Sequence, residues 1–403
     1  MRIATAVLLF AACAFAQRTP RTNVTDAEVA KVHKAAILID THNDVTSATV
    51  DGLDIGPLRK EGHTDLARLK QGGVGATFFA VYVGANYARE GKAANRTLQM
   101  IDTVRHDIVG KYPADFEFVT TADGIVAARK KGKFAALMGI EGGHAIEDSL
   151  RLLRDFYALG IRYMTLTHSN SNNWADSSGD IEKPNNGLSK FGKEVIAEMN
   201  RLGMMVDISH VSDKTFYDAL EVSTAPIFAS HSSCRAISPI PRNMTDEMIV
   251  ALGKKQGVVQ INFGCEFLNA KSAAASPFGN PEMRKKMEEA MKTLGEIKDP
   301  AERRAAMRKM MGSAGPRVRA TIDDVVAHIN HVVKLTGGVD HVGIGSDYDG
   351  VGCVPEGLDD VSKYPALTRK LLEAGYTAAE IQKIYGGNLL RVMRAAEAVA
   401  AKS

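Results

Sequence analysis

Short apolar segments alternate with amphipathic segments along almost the whole chain. The apolar segments have the length of buried strands, and the amphipathic segments repeat their apolar residues at helical spacing. The predicted strands lie near 35–40, 75–83, 134–141, 161–167, 204–209, 226–231, 257–263 and 341–347. The predicted helices cover about 91–111, 122–131, 147–158, 189–202, 212–220, 245–255, 319–336, 364–374 and 377–398. This alternation predicts an α/β fold, in which eight parallel strands close into a TIM-like (β/α)8 barrel with peripheral helices.

One segment, 267–318, interrupts the alternation between the seventh and eighth predicted strands. It is rich in methionine and charge and contains Pro277, Pro281, Pro300 and Pro316. An insertion this long is either a solvated helical hairpin or a functional element, such as a lid or a dimer contact beside the active-site mouth. We expect residues 17–403 to form a single barrel domain that carries this insertion, and a homodimer is compatible with it.

Polar side chains follow the predicted strands where each strand ends, and their chemistry is that of metal ligands. His42 and Asp44 follow the first strand two residues apart, so both can point to one face. The same placement is shared by Glu141, His168, His210, His231 and Asp347. The carboxyl ends of parallel barrel strands meet at one mouth, where the active site lies. Imidazole and carboxylate groups there predict a site for divalent ions such as Zn²⁺.

The residue types suggest how two ions would be held. Two neighbouring cations need one anionic ligand that contacts both, and the carboxylate of Glu141 offers two oxygens. His42 and Asp44 would bind one ion, and His210 and His231 the other. A water between the ions would lose a proton near neutral pH and become the nucleophile of a hydrolysis.

Four further residues receive roles in this hypothesis. Asp347 would act as general base and then pass the proton to a leaving amine. His168 could stabilise the oxyanion of a tetrahedral intermediate. Arg242, in the loop after His231, can bind a substrate carboxylate through two parallel hydrogen bonds. Trp174, the only tryptophan, lines the substrate pocket or packs in the core.

The amino terminus has the pattern of a secretory signal peptide. In residues 1–16, Arg2 precedes a short apolar stretch that ends in the small-x-small sequence Ala14-Phe15-Ala16. The stretch is too short to span a bilayer. The alternative is a lipoprotein signal with Cys13 as the lipidated residue. Either signal predicts a periplasmic or secreted protein.

The composition limits the classes of partner that the sequence favours. The chain has 403 residues, a net charge of +3 and 24% charged residues, without a long basic run or a second hydrophobic span. These values favour neither nucleic acid nor a transmembrane anchor. After the signal peptide three cysteines remain, namely Cys234, Cys265 and Cys353. An odd count permits at most one internal disulfide, and we favour buried free thiols.

The residues with assigned roles lie in motifs that resemble those of the renal (membrane) dipeptidases. The resemblance runs from about residue 33 to 399, in the family's order. The motifs are Ile39-Asp40-Thr41-His42-Asn43-Asp44, Gly139-Ile140-Glu141-Gly142, Tyr163-Met164-Thr165-Leu166-Thr167-His168, Gly203-Met204-Met205-Val206-Asp207-Ile208-Ser209-His210, Ser230-His231-Ser232-Ser233 and Gly345-Ser346-Asp347-Tyr348-Asp349-Gly350.

The resemblance implies a barrel with two zinc ions that cleaves dipeptides, including some with a C-terminal D-residue. The metal ligands that it implies are His42, Asp44, Glu141, His210 and His231. It also implies that His168 contacts the substrate, that Arg242 binds the substrate's C-terminal carboxylate and that Asp347 handles the proton. The chain departs from the mammalian members, which carry a C-terminal lipid anchor and a disulfide framework.

Two other functions stay open at this point. One is a related barrel amidohydrolase that acts on N-acyl amino acids, lactones or phosphotriesters. Many such barrels bridge their metals with a modified lysine, and here no lysine ends any of the first six predicted strands. The other is a binding protein that has lost catalysis, although no ligand is missing from the set above.

Overall fold

The structure is a computed structural model. It describes residues 18–402 apart from 278, 298, 300–301, 303–305 and 307–317. The predicted signal peptide at 1–16 lies outside the described residues, as does most of the second half of the predicted insertion.

Eight parallel strands form a nearly closed barrel, which confirms the predicted fold class. The nine strands in the described residues are β1 (Leu38–Asn43), β2 (Val74–Tyr82), β3 (Phe116–Phe118), β4 (Phe134–Glu141), β5 (Ile161–Thr165), β6 (Met205–Asp207), β7 (Phe228–Ser232), β8 (Val258–Ile261) and β9 (Val342–Ile344). The barrel order is β1-β2-β4-β5-β6-β7-β8-β9, and all its pairs are parallel. Beyond β9 the chain returns to β1, where the Asp347 amide donates to the His42 carbonyl at 3.0 Å.

The eight barrel strands overlap the eight predicted segments, and β3 is an addition. It pairs with the first residues of β4, off the barrel path. Three residues are too few to show a periodic pattern, so the sequence did not reveal this strand.

Helices cover the outside of the barrel. Their bounds are Asp26–Ala35, Thr46–Thr49, Leu66–Gln71, Ala85–Arg89, Ala93–Asp102, Ala122–Lys130, Leu150–Ala158, Lys190–Leu202, Asp213–Val222, Asp246–Lys254, Cys265–Leu268, Ala270–Ala274, Pro281–Glu296, Ile322–Thr336, Tyr364–Glu373, Ala378–Gln382 and Asn388–Ala400, with π-helical turns at Thr103–Gly110 and Lys383–Gly387. Hydroxyl side chains begin many of them: Ser189, Ser212 and Thr245 each accept a backbone N–H of the first turn. Among the described residues, no helix combines the length and apolar character needed to cross a bilayer.

Aromatic rings fill the barrel interior beneath the mouth. The Tyr163 ring lies 5.4 Å from the rings of both Phe78 and Phe228, on strands that are not its neighbours. Gly139 makes room for it, since a Cβ at that position would lie 2.0 Å from the Tyr163 ring. The interior is therefore a packed core, as in other barrels of this kind, and it supports the polar groups above it.

A disulfide joins Cys265 and Cys353, so the expectation of free thiols was wrong for these two residues. Among the described residues, Cys234 is the buried free cysteine. The paired cysteines are separated by 88 residues along the chain, but they follow the adjacent strands β8 and β9. Their proximity depends on strand order, which spacing in the sequence did not show. The bond ties together the two segments that leave the barrel mouth at these strands.

The described part of the insertion contains the helix Pro281–Glu296. Asn280 begins it by accepting the N–H groups of Glu282 and Met283, with Pro281 in the first turn. The second helix of the predicted hairpin falls outside the described residues, so the hairpin stays a prediction.

Candidate active site

The predicted metal ligands converge at the carboxyl ends of the barrel strands. His42 lies in β1 and Asp44 directly after it, Glu141 is the last residue of β4, and His231 lies in β7. His210 follows β6 by three residues and has a φ of 69°, a left-handed backbone conformation that non-glycine residues rarely adopt. Strain of this kind is concentrated at functional sites, where the surrounding structure holds a side chain in place.

Glu141 lies among these residues, and its two oxygens contact different histidines. Oε2 lies 3.4 Å from Nε2 of His42. Oε1 lies 3.0 Å from Nε2 of His210 and 3.3 Å from Nε2 of His231. One carboxylate therefore contacts both groups of histidines, which is the geometry that a bridging ligand requires.

Two buried atoms on the His42 side have no hydrogen-bond partner. They are Nε2 of His42 and Oδ2 of Asp44, which lie 3.2 Å apart without hydrogen-bond geometry. A buried polar atom without a partner is costly in a protein interior. A cation shared by the two atoms would remove that cost, because both are donors that zinc accepts. The donor set therefore fits a metal on this side.

The electrostatics of the site also fit cations. Burial acts to lower the pKa of His42, but Tyr163 and the carboxylates of Glu141 and Asp44 raise it well above its ordinary value, so these groups favour a positive charge at this position. Burial lowers the pKa values of His210 and His231 well below the ordinary value, so both imidazoles are neutral, as metal ligands must be. Burial acts to raise the pKa of Glu141, but His42 and His168 lower it well below its ordinary value. Glu141 is therefore an anion among histidines.

Asp347 lies beside the ligands and is held by Asn262. Ligand atoms of Asp347, His42 and His231 all lie within 4.8 Å of one another. Asn262 donates its side-chain N–H to Oδ2 of Asp347 at 2.7 Å. Burial, followed by the charge of Asp44, raises the pKa of Asp347 well above its ordinary value. A carboxyl group with a raised pKa can hold a proton and release it, as an acid–base group must.

His168 and Arg242 border the same site. His168 Nε2 lies 3.8 Å from Oε1 of Glu141, and its ring meets that of Tyr82 edge-on at 4.8 Å. The guanidinium of Arg242 donates to Oγ of Ser232 at 2.6 Å and to the His231 carbonyl at 2.7 Å. Burial lowers the pKa of Arg242 to about 10, which leaves it a cation at neutral pH.

Trp174 is not part of this surface. Its side chain is 0% exposed and packs in the core against Gly143, where a Cβ would lie 2.5 Å from the indole. The packing alternative describes its place in the structure, and we assign it no substrate contact.

The sequence analysis missed several polar residues that support the site. They are Tyr163, which contacts His42; Asp207 and Ser230, which are linked to His231; and Asn262, which contacts Asp347. A usable signal was present for two of them. Asp207 is a charged residue inside an apolar strand, and Asn262 lies in the predicted strand 257–263, which had been given no site residue. Buried charged and amide groups in such positions need partners.

A family model described as membrane dipeptidase, peptidase family M19, matches residues 26–403. The chain belongs to this family. It is therefore a metallopeptidase of the dipeptidase type, and the resemblance seen in the motifs is confirmed.

Relatives and solved structures agree with this assignment. The dipeptidase is 37% identical over 390 residues to an uncharacterized dipeptidase of Schizosaccharomyces pombe, with 92% of this chain and 83% of the relative covered. Its fold is similar to that of the probable dipeptidase PvdM from Pseudomonas aeruginosa, with a TM-score of 0.78, 24% identity and coverage of 93% and 98%. A metallopeptidase from Rhodobacter sphaeroides, solved with a phosphinate mimic of the dipeptide L-Ala-D-Ala, has a TM-score of 0.71, 25% identity and coverage of 90% and 99%.

Proposed function

We propose that this chain is a dizinc dipeptidase that hydrolyses the peptide bond of dipeptides. The observation that carries the proposal is the position of Glu141, whose two oxygens face His42 on one side and the pair His210 and His231 on the other. Asp44 completes the first site beside His42. Two zinc ions, when bound, supply the positive charge that lets a shared water ionise near neutral pH.

Each of the surrounding residues has a separate role in hydrolysis. Arg242 binds the C-terminal carboxylate of the dipeptide and so places the scissile carbonyl over the site. Asp347 takes a proton as the water oxygen bonds to the carbonyl carbon. It then gives that proton to the amine nitrogen as the carbon–nitrogen bond breaks. His168 donates a hydrogen bond to the oxyanion between these steps. The products are two free amino acids.

We extend the proposal to dipeptides with a C-terminal D-residue. Its support is the Rhodobacter sphaeroides metallopeptidase, which was solved with a phosphinate mimic of L-Ala-D-Ala. The stereochemistry of that residue would matter little if Arg242 holds the carboxylate and the reacting carbonyl belongs to the preceding residue. A comparison of L-Ala-D-Ala with L-Ala-L-Ala tests this point, and we expect both to be cleaved.

We also propose that the protein is exported to the periplasm or the medium. The disulfide between Cys265 and Cys353 supports this, because disulfides persist mainly in oxidising compartments. Fractionation of expressing cells, with a variant lacking residues 1–16 as the control, tests the localisation. A homodimer stays a prediction, and gel filtration with light scattering would test it.

Metal removal provides the direct test of the dizinc proposal. We expect about two zinc ions per chain after purification without chelator, and loss of dipeptide hydrolysis when both are removed. Activity should return in proportion to zinc added back. Elemental analysis and release of free amino acids, measured on the same sample, check both points. Full activity in metal-free protein would contradict the proposal.

Arg242→Ala should impair the binding of dipeptides with a free carboxylate. A hydrogen bond to a charged group contributes about 1.5–3 kcal/mol, so KM for L-Ala-L-Ala should rise about 10–100-fold. KM for the corresponding dipeptide amide should change little, because it has no carboxylate for the guanidinium to bind. Steady-state kinetics with both substrates measure the difference.

The paired substrates also provide the internal control for this variant. Arg154→Ala is the matched control, since Arg154 pairs on the surface with Glu198 and lies on the helix Leu150–Ala158. An equal rise of KM for the dipeptide and its amide would rule out the carboxylate role of Arg242.

A further inference from the structure

The tautomer of His42 is determined by Tyr163 beneath it. Nδ1 of His42 lies 2.8 Å from the Tyr163 hydroxyl, and that hydroxyl lies 3.0 Å from the Thr41 carbonyl. A carbonyl only accepts, so the hydroxyl proton goes to Thr41 and the hydroxyl oxygen accepts from Nδ1–H of His42. When His42 is neutral, as a metal ligand must be, its ring proton therefore lies on Nδ1, and the Nε2 lone pair is available to a cation beside the carboxylates of Asp44 and Glu141.

The tautomer of His231 is determined by a different chain of hydrogen bonds. Nδ1 of His231 lies 2.7 Å from Oγ of Ser230, which lies 2.6 Å from Oδ2 of Asp207. Asp207 also accepts from Thr165 Oγ1 at 2.5 Å and from the amides of Ser230 and Ser209 at 2.8 and 3.0 Å. These three donors make Asp207 the acceptor in its hydrogen bond with Ser230 Oγ as well. Ser230 therefore donates to Asp207 and accepts from Nδ1–H of His231, which leaves Nε2 of His231 free as a lone pair.

We propose that Tyr163 and Ser230 are positioning residues that control the two metal positions separately. Each hydroxyl holds the proton of one ligand histidine on Nδ1 and keeps Nε2 available to a cation. Tyr163 acts on the ion beside His42 and Asp44, and Ser230 acts on the ion beside His210 and His231. The inference rests on the proposed dizinc function, since it assigns one hydroxyl to each of its two ions.

The burial of these groups explains why the hydroxyls matter. Tyr163, Ser230 and Asp207 are each 0% exposed, as is His42. Water cannot replace a lost hydroxyl at such positions, so removal leaves Nδ1–H without an acceptor or allows the proton to move to Nε2. Both outcomes weaken the ligand. Loss of an outer hydrogen-bond partner of a metal-binding histidine costs about 10–100-fold in metal affinity.

Tyr163→Phe and Ser230→Ala should therefore each weaken the binding of one zinc ion by about 10–100-fold. Competition with a chromogenic chelator measures the two dissociation constants, and elemental analysis gives the stoichiometry. Each matched control removes one buried hydroxyl that contacts none of the proposed metal ligands. The controls are Tyr385→Phe, whose hydroxyl contacts Thr368, and Ser272→Ala, whose hydroxyl donates to the Val318 carbonyl. Both controls should keep the two wild-type dissociation constants.

The same two substitutions in an Asp44→Ala protein distinguish an effect on one metal position from a general loss of structure. In an Asp44→Ala protein that binds only the ion of His210 and His231, Tyr163→Phe should leave the affinity for that ion unchanged. Ser230→Ala should weaken it 10–100-fold in the same background. Equal effects of both variants would overturn the separate control of the two positions, as would an unchanged affinity in both. The thermal midpoints of the metal-free variants should match those of their controls.

These readouts distinguish failure of the inference from failure of the proposed function. Two zinc ions with wild-type affinity in both variants would overturn the positioning roles and leave the dizinc dipeptidase intact. Selective weakening of one ion in each variant, in a protein that cleaves no dipeptide, would support the positioning roles and overturn the function. Wild-type protein that binds no zinc would overturn both.

Discussion

Glu141→Gln should lower kcat/KM for dipeptide hydrolysis by more than about 10³-fold. Loss of even an outer partner of a ligand costs about 10–100-fold, and Glu141 is the proposed ligand of both ions. The substitution preserves the shape of the side chain but replaces one carboxylate oxygen with an NH2 group, which cannot coordinate a cation. The NH2 group would replace either Oε1, which lies 3.0 Å from His210, or Oε2, which lies 3.4 Å from His42. One of the two ions would then lose this ligand. We expect at most one zinc ion per chain.

Amino-acid release from L-Ala-L-Ala and elemental analysis of the same preparation measure both effects. Glu289→Gln makes the same chemical change on the exposed side of the helix Pro281–Glu296 and should keep wild-type activity and metal content. A Glu141→Gln protein that keeps two zinc ions and activity within about tenfold of wild type would show that this carboxylate does not bridge the ions.

Gly350→Ala should remove most activity while leaving the fold nearly as stable as before. A Cβ on Gly350 would lie 2.4 Å from Oδ1 of Asp347 and 2.4 Å from Oδ2 of Asp44. These atoms are ends of side chains, so they can move aside without displacing the backbone. Their movement takes Asp44, the proposed ligand, and Asp347, the proposed acid–base group, out of place together. Since a shift of about 1 Å can cost 10²-fold in rate, we expect a loss of at least that size.

The comparison of activity with stability decides this prediction. Thermal unfolding of metal-free Gly350→Ala should fall close to that of metal-free wild type, whereas kcat/KM should fall sharply. Gly338→Ala is the matched control, because its Cβ would meet only Asp340 Oδ2, at 3.9 Å, and its backbone is extended. If Gly350→Ala unfolds like wild type and also retains full activity, the close packing of this glycine against the two carboxylates has no functional role.

The convergence of the predicted metal ligands could be expected from the sequence because it depends on topology alone. His42, Glu141 and His231 each end or follow an apolar segment, and parallel strands bring such positions to one mouth. The strand order could also be predicted from the sequence, since consecutive parallel strands joined by helices usually lie side by side. The structure places these residues close together. The observed strands differ from the predicted ones by only a few residues at their ends.

The orientation of the supporting side chains was not predictable in this way. Tyr163 reaches His42 across 121 residues, and Asn262 reaches Asp347 across 85. Periodicity showed that their segments are strands, but not how far a ring extends across the barrel interior. The burial of Trp174 could not be predicted for the same reason. It follows the site residue His168 closely in the sequence, but its side chain is buried in the core.

The sequence by itself determined the barrel and the family and predicted which side chains would bind metal, because strand length, helical spacing and ligand type are local properties of the chain. Only the tertiary structure decided which oxygen of Glu141 contacts which histidine, which hydroxyl contacts Nδ1 of His42 and of His231, and that Cys265 and Cys353 pair. These features depend on distances between side chains far apart in sequence, and packing in three dimensions sets those distances.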